Sequence, residues 1–255
     1  MRTWRIDSSA EPVTINARDG AVLRAACFRP RGNIRGAVIV LHGIGDQGSS
    51  MTELAQLLNL HGYVVLTPDS RGHGGSGGDR ITFGLLERND VALWLDWLEA
   101  RFHPPAFYGY GASLGGVILI QSLEVAGDRF RAIIAECPFA DLRAVAYDRL
   151  SAESSVPRFL LAPVIELAFA YARARYGLNL YAANPEAALN RSHTPTLLIH
   201  GTSDRNIPIE HSRRLLAGTP RTTELWEVPG GGHVGAWSAS GPEYEQRVID
   251  WYATH

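Results

Sequence analysis

The strongest constraint in this chain is a regular alternation. Short, almost uninterrupted apolar runs rich in β-branched and aromatic residues recur between longer stretches with helical spacing. Such runs occur at 37–41 (AVIVL), 63–67 (YVVLT), 106–110 (AFYGY), 132–136 (AIIAE), 196–200 (TLLIH) and 224–228 (ELWEV). A strand that is apolar at consecutive positions is buried on both faces, the condition of a parallel sheet covered by helices. Residues 23–28, after the Arg18-Asp19-Gly20 turn signal, read as the second arm of a hairpin begun near Val13. Between strands, 83–102 places Leu86, Val91, Trp94 and Leu98 at helical spacing. A last helix is expected from Ser240-Gly241-Pro242-Glu243, with a serine cap, a first-turn proline and a capping-box glutamate. The fold class is therefore α/β, a mostly parallel central sheet flanked by helices.

One interval breaks the rhythm. Roughly fifty residues separate the strand ending near Glu136 from the next, far beyond an ordinary loop. They carry helical patterns of their own at 142–150 and 158–176, and a turn after Asn184-Pro185. The expected organisation is one domain over 1–255, with residues 141–192 forming a helical cap inserted in it.

Composition removes several chemistries. All 24 basic residues are arginine, so no mechanism needing a lysine amine is open: no phosphate-loop lysine, pyridoxal Schiff base or kinase-type clamp. With 26 acidic residues the formal charge is −2, which argues against a nucleic-acid surface. Cys27 and Cys137 lack CxxC spacing, no HExxH occurs, and neither a metal site nor a disulfide scaffold is expected. The uncharged stretch 102–123 contains Pro104, Pro105 and four glycines and reads as strand plus helix, not a membrane span. The first residues lack the apolar core of a signal peptide, so a cytoplasmic location is expected.

Three glycine motifs compete for the function. Gly43-Ile44-Gly45-Asp46-Gln47-Gly48 is a formal GxGxxG after a strand, with Asp69 about twenty residues on, as a dinucleotide fingerprint requires. Both Gly74-Gly75-Ser76-Gly77-Gly78 and Gly111-Ala112-Ser113-Leu114-Gly115 satisfy GxSxG. A nucleophile elbow needs a strand directly before and a helix directly after, to hold the hydroxyl out at the sheet edge. Ser113 has both; Ser76, among five glycines in nine residues, reads as a flexible loop. A serine also needs a base, and the base an orienting acid. Asp204 follows the strand at 196–200 and His233 follows the strand at 224–228, each just past a strand end. Asp141 is the rival acid. In this reading the Gly43 loop supplies an oxyanion-hole amide from Ile44, beside that of Leu114.

The segments HGIG, LTPDSRGHGGS, GYGASLGG, ECPFADL, LLIHGTSDRNIP and PGGGH resemble those of the α/β-hydrolase superfamily, at matching places from 23 to 252. The resemblance is to the branch of prolyl-oligopeptidase-like and palmitoyl-protein-thioesterase-like serine hydrolases; Cys137 departs from it, standing where those relatives more often have serine. It implies an α/β-hydrolase fold, a Ser113–Asp204–His233 triad and no cofactor, and leaves the substrate open. The expected activity is hydrolysis of a small-molecule carboxylic ester of short or medium acyl chain through an acyl-enzyme. Alternatives on the same residues are a thioesterase, a peptidase or a carbon–carbon hydrolase. From other classes come an NAD(P)-dependent oxidoreductase using the 43–48 loop and Asp69, and a non-catalytic binding protein. His42, Gly43, His73, Cys137, Phe159 and Phe169 are candidate pocket residues; His42 and Cys137 have structural alternatives, and the cap aromatics equally suit packing. Oligomeric state is not legible in the sequence.

Overall fold

The computed structural model describes residues 10–153, 156–219 and 221–255. Among them, eight strands form one sheet: β1 (Glu11–Asn16), β2 (Val22–Phe28), β3 (Gly36–Leu41), β4 (Tyr63–Pro68), β5 (Phe107–Ala112), β6 (Phe130–Glu136), β7 (Thr196–Gly201) and β8 (Thr223–Val228). Their spatial order is β1-β2-β4-β3-β5-β6-β7-β8, with β2 antiparallel to both β1 and β4 and every other pair parallel. Each apolar run of the sequence is a strand, and β3 to β7 are buried on both faces apart from Arg131 in β6.

The helices are α1 (Thr52–Leu60), α2 (Glu87–Phe102), α3 (Leu114–Ala126), α4 (Leu142–Glu153), α5 (Arg158–Tyr176), α6 (Pro185–Asn190), α7 (Glu210–Gly218), α8 (Ala236–Ser240) and α9 (Pro242–Thr254). Alternation along each strand sorts the core into two layers. Ala37, Ile39 and Leu41 of β3 face Trp94 and Leu98 of α2 and Ile118 of α3. Val38 and Val40 face the other way, toward Leu54 and Leu58 of α1 and Val248 and Trp251 of α9. With both faces covered, the strand C-termini are the open edge where loops can converge on a ligand.

Three local expectations change. The helix read from residue 83 starts at Glu87, because Phe83 and Gly84 hold φ of 54° and 97°. The Glu87 carboxylate accepts from the amides of Thr82 and Gly84 and pins that turn. At the last helix the capping box does not form. Gly241 occupies the cap with φ 52°, while the Ser240 hydroxyl donates to the Ala236 carbonyl; Pro242 does open the helix. Finally, α6 lies within the expected 141–192 insertion, but Ala188 and Leu189 belong to the main core with α2 and α3. The part standing apart from the sheet is α4 and α5, joined by their own cluster of Leu142, Val145, Ile165 and Phe169. No described helix is long and apolar enough to cross a membrane.

Close approach of α3 to β3 and β5 depends on glycine. A Cβ on Gly115 would lie 2.2 Å from the Leu41 carbonyl oxygen, and one on Gly111 would lie 2.4 Å from the Gly115 carbonyl carbon. Backbone on both sides leaves little room to relax. Gly115→Ala is expected to cost about 3 kcal/mol and to lower Tm by roughly 6–12 °C in a thermal melt. An unchanged Tm would show that the turn can move.

Candidate active site

Ser113 stands between β5 and α3 with φ 52° and ψ −116°, a conformation that non-glycine residues occupy only when their surroundings enforce it. Here the enforcement is visible. The Ser113 amide donates to the Glu136 carbonyl at 2.7 Å, and its carbonyl accepts from Val117 at 3.1 Å. The tight turn lifts the hydroxyl to the strand edge, and the residue is 5% exposed.

Asp204 and His233 reach the same point from β7 and β8. Asp204 Oδ1 accepts from the amides of Asn206 and Ile207 at 2.8 and 3.0 Å, which folds its loop back and fixes the carboxylate. Oδ2 lies 2.7 Å from His233 Nδ1, and His233 Nε2 lies 2.9 Å from Ser113 Oγ. With the imidazole proton on Nδ1 donated to Asp204, Nε2 accepts from the serine hydroxyl. A second, fully buried imidazole, His200, stands 3.4 Å from the same Oδ2. Burial opposes ionisation of Asp204, but hydrogen bonds from His200, His233 and the Ile207 amide outweigh it and hold the carboxyl well below the usual range. The His233 loop is tied down by its amides: Val234 donates to Cys137 Sγ and Ala236 to Glu136 Oε1. A hydroxyl, an imidazole and an ionised carboxylate in this series can deliver a serine oxygen to an electrophilic carbonyl.

Ser113 and His233 open onto a cavity of about 520 Å³, with the Asp204 side chain fully buried behind the histidine. Ser113 and His233 line it together with Ile44, Met51, Phe83, Leu142, Val145 and Ile207, and Asp46, Arg149 and Asn206 supply its polar wall. Gly43 and Leu114 also line it, and a Cβ on Gly43 would sit 3.5 Å from Ser113 Cβ, so the 43–48 loop lies against the serine. Among the described residues, the amides of Ile44 and Leu114 donate to no other protein group. The Leu114 amide is an unpaired donor because it opens α3.

Residues 38–246 match the family model of the alpha/beta hydrolase family. The chain belongs to that family. The Bacillus subtilis protein YqkD, itself uncharacterized, is 27% identical over 221 residues, 84% of this chain and 70% of that one. The monoglyceride lipase of Rattus norvegicus is 24% identical over 248 residues, 85% of this chain and 81% of the lipase. Among solved structures, the Pyrococcus furiosus esterase Pf2001 shares the fold with a TM-score of 0.78 at 21% identity, covering 96% of this chain and 92% of the esterase. The chain is an alpha/beta hydrolase, and hydrolysis is its activity class.

Other expected site residues of this alpha/beta hydrolase are placed differently. His42 is fully buried; its Nδ1 donates to the Gly43 carbonyl and its Nε2 accepts from the Ser70 amide. Burial, with His73 alongside, lowers its basicity, so it stays a neutral brace between two loops. His73 meets His42 edge-on at 5.0 Å and does not line the cavity. Cys137 supports the His233 loop from behind, and burial beside Glu136 pushes its thiol far up, out of nucleophile range. Phe169 is buried between α4 and α5, and Phe159 points to solvent, so neither reaches the cavity.

Asp141, the rival acid, accepts from the Ala144 amide at the start of α4, away from His233. The second GxSxG is an anchor: Ser76 Oγ accepts from the Arg24 amide and donates to the Asp69 carbonyl. That glycine loop is pinned, not flexible. Asp69 is likewise occupied, accepting from the amides of Gly48 and Gly75, and is unavailable to a ribose. The structure also gathers Cys137, His200 and Asp204 with ligand atoms within 4.8 Å. Their atoms are already engaged: His200 contacts Ser212 and Ile207, and Cys137 contacts Val234. The cavity walls from α4 (Leu142, Val145, Arg149) carried no sequence signal, because helical packing residues look alike whichever side they face.

Proposed function

We propose that this alpha/beta hydrolase cleaves small carboxylic esters of short or medium acyl chain through an acyl-enzyme on Ser113. The observation that carries the reading is the unbroken series Ser113 Oγ–His233 Nε2 at 2.9 Å and His233 Nδ1–Asp204 Oδ2 at 2.7 Å, beneath a largely apolar cavity. His233 takes the hydroxyl proton as Ser113 attacks the ester carbonyl, and Asp204 stabilises the imidazolium. The Ile44 and Leu114 amides receive the oxyanion, each contributing on the order of 3 kcal/mol in the transition state. Collapse of the tetrahedral adduct passes the proton to the departing alcohol. Water, deprotonated by His233, then releases the acid. The names of the rat lipase and the archaeal esterase support an acyl ester over a peptide.

The test is a p-nitrophenyl ester series from acetate to laurate, beside acyl-CoA and aminoacyl substrates, with fluorophosphonate labelling of wild type and Ser113→Ala. Turnover favouring short or medium esters, with labelling lost in the variant, is the expected result. Stoichiometric labelling of Ser113→Ala would refute the choice of serine.

Asp204→Asn is expected to lower kcat about 10⁴-fold with the fold intact, because an amide cannot hold the Nδ1–H tautomer. Since Asp204 titrates far below the ordinary carboxylate value near 4, its own protonation should contribute nothing to acid inactivation above about pH 4. A log kcat/KM profile falling with slope two there would contradict the assignment.

A further inference from the structure

Helix α5 is apolar on both of its faces, and the molecule uses only one. Ile165 and Phe169 turn inward against Leu142 and Val145 of α4. On the other side, Leu160, Val164, Leu167 and Tyr171 recur at spacings of four, three and four, which sets them in one line along the helix. Val164, Leu167 and Tyr171 are 56%, 71% and 57% exposed, and Phe159, 76% exposed, lies about 100° around the helix from Leu160, on the Glu166 side. Exposed Pro163, Ala168 and Ala170 fill its margins. The one acid of the helix, Glu166, sits on the flank, taken up by Arg143 and Tyr181. An apolar row of this kind, left uncovered by the fold, is available to a partner surface.

We propose that this face of α5 docks onto an anionic phospholipid surface. Charge selects the lipid. The C-terminal end of the stripe is bordered by Arg173 and Arg175, although the whole chain is slightly acidic; Arg80 stacks on Tyr176 at 4.6 Å but is paired with Asp79 and adds no net charge. Arginines beside an apolar helix face bury their stems in the acyl boundary and leave the guanidinium at the phosphates. Size points the same way. From Leu160 to Tyr171 the stripe is about 17 Å long and about 10 Å wide, on the order of 170 Å². A stable dimer needs about 800 Å² per partner, whereas a helix lying in the interface immerses only this face, by roughly 5–10 Å. Docked in this way, α5 would hold the cavity wall formed by α4 one helix away from the lipid. The docking is independent of the ester reading, since it needs no turnover to be seen.

The test is flotation of the full chain with vesicles of phosphatidylcholine, alone or with roughly one-third phosphatidylglycerol, comparing wild type with Val164→Glu/Leu167→Glu and Arg173→Gln/Arg175→Gln. Wild type should bind the anionic vesicles at least about tenfold more strongly than the neutral ones. The glutamate pair should lose about tenfold or more on both, and the glutamine pair should lose the preference for anionic lipid. Circular dichroism and turnover of a water-soluble ester should match wild type in both, since none of the four residues lines the cavity. Wild type remaining in the aqueous fraction, or a glutamate pair that floats as well as wild type, would overturn the proposal. So would a dimer in light scattering that the glutamate pair dissociates without any vesicle binding, which would give the face to a second copy.

Discussion

Replacing Ser113 with alanine is expected to lower kcat for a p-nitrophenyl ester by roughly 10⁵- to 10⁶-fold, and adding His233→Ala to lower it little further. The reason is the coupling visible in the geometry. His233 has no proton to accept once the hydroxyl 2.9 Å from its Nε2 is gone, so the second removal deletes a group already idle. Residual turnover above the uncatalysed rate should persist, because the Ile44 and Leu114 amides and the cavity wall are untouched. KM should change by less than about tenfold, since Ser113 contributes to the transition state far more than to binding. Progress curves with active-site titration check this: the variant should show no burst of p-nitrophenol. If the two single losses multiplied in the double variant, the residues would be acting independently and the relay would be wrong.

Much of this site could be read from the chain because its parts are forced by backbone. Ser113 needs a strand, a left-handed turn and a helix in immediate succession, and Gly111 and Gly115 announce the close contacts that geometry imposes. Asp204 and His233 lie just beyond strands whose apolar runs are unmistakable. What escaped depends on side-chain direction or long-range pairing. Phe159 and Phe169 differ by ten residues and look alike in sequence, yet one faces solvent and the other packs against α4. Ser76 carried the same letters as Ser113, and only its bonds to Arg24 within β2 and Asp69 just past β4 reveal a structural pin. Asp69, at the right distance for a dinucleotide acid, is spent on two loop amides that no local pattern links to it.

Glu136 is the largest omission, and Glu136→Ala should reveal its weight. Its carboxylate, buried under the serine turn, accepts from the hydroxyls of Tyr110 and Tyr244 at 2.5 and 2.7 Å and from the Ala236 amide at 3.2 Å. Those donors come from β5, α9 and the start of α8, so one side chain joins the serine strand, the last helix and the histidine loop. Burial, reinforced by the neighbouring carboxylate, pushes both phenols far above their ordinary range, and they remain donors through alkaline pH. In Glu136→Ala the tyrosines, 2.8 Å apart, can still bond to each other. The Ala236 amide and one phenol proton then lose their acceptor within a new cavity. The expected cost is about 3–5 kcal/mol in urea unfolding. Glu136→Gln keeps an acceptor and the volume, and should cost about 1–2 kcal/mol. Because Ala236 is three residues from His233, the alanine variant should also lower kcat by roughly 10- to 100-fold while KM holds, through misplacement of the imidazole. Glutamine should restore most of that loss. A Glu136→Ala protein with wild-type kcat and reduced stability would confine Glu136 to holding the core. One with both unchanged would show that the three donors find other partners.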